Sequence, residues 1–360
     1  GSMAVNEWVG CFVGPDGKWV PGYQGPSDPS QPGDANAPST PGDTNDPTLP
    51  SEPANWDLSR EIDGKTDDGF VYSGTEYLKD GAVVSGYIVI EAYQGSKQDI
   101  AVPNSINGLP VTAVTLSTSA NLNEIVPSKT RSSSLTSVDF TSCQSVTKIA
   151  LKMQELENLR LEDHPALESL TIDQSGISTT IQGKLRSLDL SDCPNLTALT
   201  IYHSKIAAID LSACKKLETV TFYRNNFVDL SFSGLSSLKK ISCQQNSALT
   251  ALNLSGCTSL VELQCDYNKI KALDTSSCKA LEELNCSWNE ISSLSVHGCN
   301  KLQIINFYAN QLTTFDPSGL PALKVIKYNS YYPGHGFDAS AIEAWGVYRE
   351  HCEWVRKDLV

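Results

Sequence analysis

Leucine opens seven consecutive rows of this chain, at Leu196, Leu217, Leu238, Leu260, Leu281, Leu302 and Leu323, with spacings of 21, 21, 22, 21, 21 and 21 residues. A period of this length constrains the fold more than any single motif, because each row is one structural unit that cannot bury its own apolar edge. Aligned, the rows read "LTALTIYHSKIAAIDLSACKK", "LETVTFYRNNFVDLSFSGLSS", "LKKISCQQNSALTALNLSGCTS", "LVELQCDYNKIKALDTSSCKA", "LEELNCSWNEISSLSVHGCNK" and "LQIINFYANQLTTFDPSGLPA", followed by a truncated "LKVIKYNSY". Each has the form LxxLxLxxNxL followed by xxLxLSxC. Upstream, "LTSVDFTSC", "LENLRLEDH" and "LRSLDLSDC" keep only the second half, and residues 173–184 read as a loop insertion.

Alternation in LxxLxL places two apolar side chains on the inner face of a short strand, and the Asn that follows turns the chain inward. Every row then forms one coil of a solenoid, stacked at about 4.8 Å per coil. The Asn column (Asn225, Asn246, Asn268, Asn289 and Asn310, with Ser204 in the first row) supplies amides that satisfy buried backbone groups. That is a structural role and needs no ligand.

These rows resemble leucine-rich repeat proteins over roughly residues 135–330. The preceding phrase, with Pro103, Ile106, Gly108, Pro110, Val111 and Thr112, resembles the opening of BspA-like leucine-rich repeat surface proteins. The 21-residue rows lack the AFxxC phrase of that family and are similar instead to the shorter LDLSGC repeats of secreted, internalin-like bacterial proteins. The expected fold is a β-rich solenoid of leucine-rich repeats with an N-terminal β cap and a C-terminal helical cap. The resemblance implies adhesion to host or bacterial proteins.

Five segments are expected. Residues 1–20 hold an expression remnant, Gly1-Ser2-Met3, and a short hairpin turning at Gly14-Pro15-Asp16-Gly17. Residues 21–57 form a linker: positions 21–55 carry nine of the eighteen prolines and no Lys or Arg, a composition that cannot offset its ordering entropy. Residues 58–114 alternate as strands and form the amino-terminal cap, residues 115–330 the solenoid, and residues 331–360 a cap helix. In that tail Asp338 or Ser340 serves as N-cap, and Ile342, Trp345, Cys352, Val355 and Leu359 fall near one helical face.

Eleven cysteines would suggest a disulfide framework were they not placed by the repeat. Cys243, Cys265 and Cys286 share a column with Ile201, Phe222 and Phe307. Cys143, Cys193, Cys214, Cys257, Cys278 and Cys299 share another with Leu235 and Leu320, where His164 also stands. Interchange with apolar residues identifies buried thiols acting as small hydrophobes, and stacked side chains have poor geometry for bridges. Cys11 and Cys352 lie outside the rows, and a bridge between them stays open.

The histidines (His164, His203, His297, His335 and His351) form no metal-binding or nucleophile–base pattern, and no phosphate-binding loop is present. The expectation is a non-enzymatic protein without cofactor or metal. A formal net charge of −14 gives no footprint for nucleic acid, and no stretch has the roughly 20 apolar residues of a membrane span. A secreted or surface location, with a lipid anchor removed upstream, is the expected setting.

Recognition is expected on the concave, strand-lined face, at the second, third, fifth, seventh and eighth positions of each row. Seventh and eighth positions supply the candidate ligand-binding residues Tyr202, His203, Tyr223, Arg224, Tyr267, Trp288 and Tyr308. Aromatic residues and Arg are common interface anchors, although aromatic residues also shield strand ladders. A protein ligand is the first expectation, a glycan stacked on planar rings the second, and a purely structural module in a larger assembly the third. Oligomeric state is not legible.

Overall fold

A computed structural model describes residues 50–118, 135–176, 181–328, 336–349 and 352–360, together with the backbone of 11–13 and 19–21. The Pro-rich segment 22–49, the 14–17 turn, His335, His351 and row positions 329 and 330 lie outside the described residues. Near the amino terminus, Cys11–Val13 pairs antiparallel with Trp19–Pro21.

The chain winds as a β-solenoid. Ten parallel strands, from Leu109–Ser117 to Val325–Lys327, stack into one sheet, one strand per coil. Register follows the leucine rows: Thr219 lies opposite Lys240, then Glu262, Glu283, Ile304 and Val325. Positions one, four and six of a row point inward, so Leu260, Leu263, Cys265, Leu281, Leu284 and Cys286 are all fully buried. Backbone N–H groups donate from coil to coil, as Cys243 to the Gln264 carbonyl and Cys265 to the Asn285 carbonyl, both 2.8 Å.

The second half of each row builds an opposite wall. Asp229–Ser231 pairs parallel with Ala251–Asn253, and Ala272–Asp274 with Ser293–Ser295. Ile270, Leu273 and Cys278 project from this side into the core that the two walls enclose.

At the amino-terminal end Leu58–Lys65, Phe70–Lys79 and Ala82–Tyr93 form an antiparallel meander that extends the main sheet, joined through Ile88 opposite Val111. Winding starts earlier than residue 115. Asp99–Ala101 already pairs with Ser137–Asp139 on the far wall, and Leu109–Ser117 with Lys148–Lys152 on the near one. A tight antiparallel turn sits inside this first coil, with Ile106 opposite Leu109 and positive φ at Asn107 (53°) and Gly108 (79°). It accounts for the Pro-Val-Thr phrase seen in sequence.

The expected carboxy-terminal cap helix is corrected. Among the described residues of this tail the α-helix spans only Ser340–Trp345, Gly346 then adopts an extended conformation, and Lys357–Leu359 forms a single 3-10 turn. Gly346–Tyr348 and Glu353–Arg356 pair antiparallel, the latter also with Val325–Lys327, so strands close the sheet. The helical spacing of Ile342, Val355 and Leu359 was misleading: Ile342 is buried in the helix, Val355 is buried in a strand, and Leu359 is exposed. Val347, Tyr348, Trp354 and Val355 are β-branched or aromatic and favour the extended form once Gly346 has ended the helix. Ala339 is the N-cap, and the Asp338 carboxylate accepts from the Ser340 N–H at 2.9 Å.

Candidate functional site

Position eight of six consecutive coils has left-handed backbone: φ is 58° at His203, 54° at Arg224, 55° at Gln245, 57° at Tyr267, 53° at Trp288 and 52° at Ala309. None is glycine, and each such residue costs about 1 kcal/mol. In five of the six coils an Asn at position nine offsets this, and Ser204 stands there after His203. The Asn268 amide donates to the carbonyls of Cys243 and Cys265, both 2.8 Å, and its oxygen accepts from the Asn246 N–H, also 2.8 Å. Asn289 repeats the pattern on Cys265, Cys286 and Ile270, and Asn310 on Cys286, Phe307 and Ile291. Side chains at position eight are thereby held in a second column beside the strands.

This corrects the expectation that positions seven and eight share one open strand face. In the later coils the strand ends at position five, as in Glu262–Gln264 and Glu283–Asn285, so both positions belong to the turn. The seven candidates divide into two groups. Tyr202, His203, Tyr223 and Arg224 form the first: Tyr202 meets Tyr223 edge-on at 6.1 Å, His203 lies 5.8 Å from Tyr223, and the Arg224 guanidinium sits 5.2 Å over the same ring. His203 and Tyr223 are only 3% and 6% exposed, so neither presents an open surface. The insertion accounts for part of this, since Gly183 donates to the His203 carbonyl and Gln182 to the Arg224 carbonyl and to Asn226.

Tyr267, Trp288 and Tyr308 form the second group, each half-buried. Tyr267 and Trp288 stack with centroids 5.5 Å apart and planes 8° from parallel, and Tyr308 lies 5.8 Å from Trp288, tilted 48°. The Gln244–Gln245 coil separates the groups, with Arg224 Nε donating to Gln245 Oε1 at 2.8 Å.

Asp266, at position seven, is not among the residues that the sequence singles out. It is 1% exposed; Oδ1 accepts from Gln244 Nε2 at 3.0 Å, while Oδ2 is buried without a hydrogen-bond partner. Burial pushes its carboxyl up to about 6. The adjacent Tyr267 hydroxyl is also buried without a hydrogen-bond partner and is pushed up to about 12, by burial first and the Asp266 charge second. The available signal was an acid at a position filled by Tyr in three other rows.

The cysteine columns are buried. Burial pushes Cys143, Cys193, Cys278 and Cys286 up to about 12, and Cys214 and Cys257 to about 11. Such thiols carry almost no thiolate at neutral pH and are poor nucleophiles or ligands. Instead they donate weakly to the preceding coil, as Cys257 to the Phe232 carbonyl and Cys299 to the Thr275 carbonyl, both 3.2 Å. His164 is buried in the same column with Nε2 2.8 Å from the Phe140 carbonyl, whereas His297 is exposed. Among the described residues no group of three or more His, Cys, Asp or Glu is arranged to hold a metal ion, and no helix is long and apolar enough to cross a membrane.

No family model matches the chain, and no curated protein matches it. Solved structures with similarity are leucine-rich repeat proteins. The functional domain of InlJ from Listeria monocytogenes, described as including a cysteine ladder, is 24% identical over 52% of this chain and 44% of that one, with a TM-score of 0.40. The T. pallidum leucine-rich repeat protein is 16% identical over 70% of this chain and 91% of its own, with a TM-score of 0.25. TLR13, solved in complex with ssRNA13, is 16% identical over 69% and 54%, with a TM-score of 0.33. The chain thus spans about half the length of InlJ and TLR13.

Proposed function

We propose that this chain is a non-enzymatic recognition module that binds a protein ligand along its coils, centred on Tyr267, Trp288 and Tyr308. The carrying observation is that successive coils hold three half-buried aromatic rings in one strip on the turns that follow the sheet strands. Rigid aromatic rings provide large contact area at low entropic cost, which is why they anchor protein interfaces. Arg224 and Tyr202 extend the strip past the Gln245 coil, while the buried His203 and Tyr223 support it from beneath.

A glycan is the second reading, and the stack weighs against it. Sugar recognition by ring stacking uses an aromatic face, and the facing sides of Tyr267 and Trp288 are already packed against each other. The reading also includes a secreted or surface-anchored setting of the kind BspA-like and internalin-like proteins occupy. Residues 21–57 would then serve as a spacer able to reach on the order of 100 Å when extended.

Cross-linking of the immobilised protein to surface proteins, compared with the Tyr267→Ala/Trp288→Ala double variant, tests the first reading. Cross-links on coils 260–310 that vanish in the folded double variant are expected. Survival of capture in that variant, or Trp fluorescence quenching by a polysaccharide at millimolar concentration or below, would overturn it.

A further inference from the structure

On the coils opening at Leu260 and Leu281, the second, third, fifth, seventh and eighth positions include Glu262, Asp266, Glu282 and Glu283, and no Lys, Arg or His; the coil opening at Leu302 has no charge at these positions. Lys240 neutralises one of these acids, pairing with Glu262 at 3.1 Å, and Lys324 donates to Gln303 at 2.9 Å, while Lys239 pairs with Glu218 at 2.8 Å and Lys327 with Glu353 at 3.6 Å. Glu282 and Glu283 have only amide neighbours, with Gln303 donating to Glu282 at 3.5 Å and Gln264 to Glu283 at 3.1 Å.

A row of surface acids is ordinarily just solvated, but Asp266 is not on the surface. Its Oδ2 and the hydroxyl of the next residue, Tyr267, are both withdrawn from water without a hydrogen-bond partner. An unsatisfied buried carboxylate oxygen is costly, and a cationic donor is the group that relieves both the missing bond and the charge. A cation there would also lie beside the Tyr267–Trp288 stack, whose rings attract positive charge.

We propose that this acidic face of two coils docks a basic segment of the protein partner, with one Arg or Lys side chain seated on Asp266. The proposal rests on the protein-recognition reading and specifies the partner's charge. Glu282 and Glu283 steer neighbouring positive charges of the same segment. Charge complementarity selects a basic peptide over an acidic one, because the chain as a whole is also strongly acidic.

The test uses the full chain and fluorescein-labelled hexa-arginine, read by fluorescence anisotropy at physiological salt, with hexa-glutamate as the control peptide. Asp266→Asn and Asp266→Ser, the latter copying Ser287 in the next coil, are each expected to weaken hexa-arginine binding at least tenfold. Glu61→Gln on the distant Leu58–Lys65 strand removes the same formal charge and is expected to change it less than twofold. Equal losses in Asp266→Asn and Glu61→Gln, or no hexa-arginine binding by the wild type, would overturn the proposal. If either occurs while protein capture still depends on Tyr267 and Trp288, the cation seat falls and protein recognition stands.

Discussion

Trp288 lies almost parallel to Tyr267, ring centroids 5.5 Å apart, although the two residues are separated by a full turn of the solenoid. Their alignment comes from the backbone: both occupy the left-handed position before a ladder Asn, so their side chains leave successive coils in the same direction.

Such a pair contributes about 1 kcal/mol beyond its area burial. A double-mutant cycle over Tyr267→Ala and Trp288→Ala, read by urea unfolding, is expected to give a coupling of about that size. Zero coupling would mean that the rings share a surface without holding one another.

Truncating a ladder amide should cost far more than truncating a ring. Asn268→Ala strips partners from the Cys243 and Cys265 carbonyls and from the Asn246 N–H at once. A loss of roughly 3 kcal/mol is expected in urea unfolding. Asn268→Asp should recover little, since a carboxylate cannot donate to the two carbonyls.

Asp266 makes stability depend on pH in an unusual direction for an acid. Its folded value of about 6 lies above the ordinary 3.8, so between those values the native state holds more protons than the unfolded one. Stability from this group is therefore greatest below pH 4, falls as pH rises, and is lowest above pH 6, by up to about 3 kcal/mol. The thiols of Cys243, Cys265 and Cys286 and the Tyr267 hydroxyl, the groups it interacts with, all titrate above this window. Asp266→Asn should gain stability relative to wild type as pH is raised from 4 to 7. A constant difference between the two proteins would refute the assignment.

Thiol chemistry should separate the repeat cysteines from the tail. Nine are buried with their thiols pushed up by burial, while Cys352 is half-buried at the end of the sheet. Iodoacetamide at pH 8 is expected to reach Cys352 first and to leave the nine unlabelled until denaturant is added. Rapid native labelling at Cys286 or Cys299 would show that the coils open locally.

Much of the solenoid is legible in the sequence because its constraint is strictly repetitive. Cys286 exchanging with Phe307, and Cys299 with Leu320, identifies inward columns whatever the residues are called. The left-handed column was not legible. Arg, Gln, Tyr, Trp and Ala share no intrinsic preference for positive φ, and at these five positions the amide of the following Asn makes the conformation tolerable, whereas His203 is followed by Ser204. Burial of His203 was hidden for another reason, since part of its cover comes from Gln182 and Gly183 in an insertion that the repeat does not predict. The tail failed because the spacing from Ile342 to Val355 suits a helix, while Gly346 and the need to close an open sheet edge favour strands.

Gln174 stands where the amide ladder is interrupted by the insertion. Its Nε2 donates to the Met153 and Leu156 carbonyls and its Oε1 accepts from the Leu185 N–H, so one glutamine bridges what asparagines join elsewhere. In a stack held together by nearest-neighbour links, that one side chain carries the amide ladder past the insertion, while Ser169–Asp173 and Ala198–Tyr202 keep the sheet continuous over five paired residues on the facing wall.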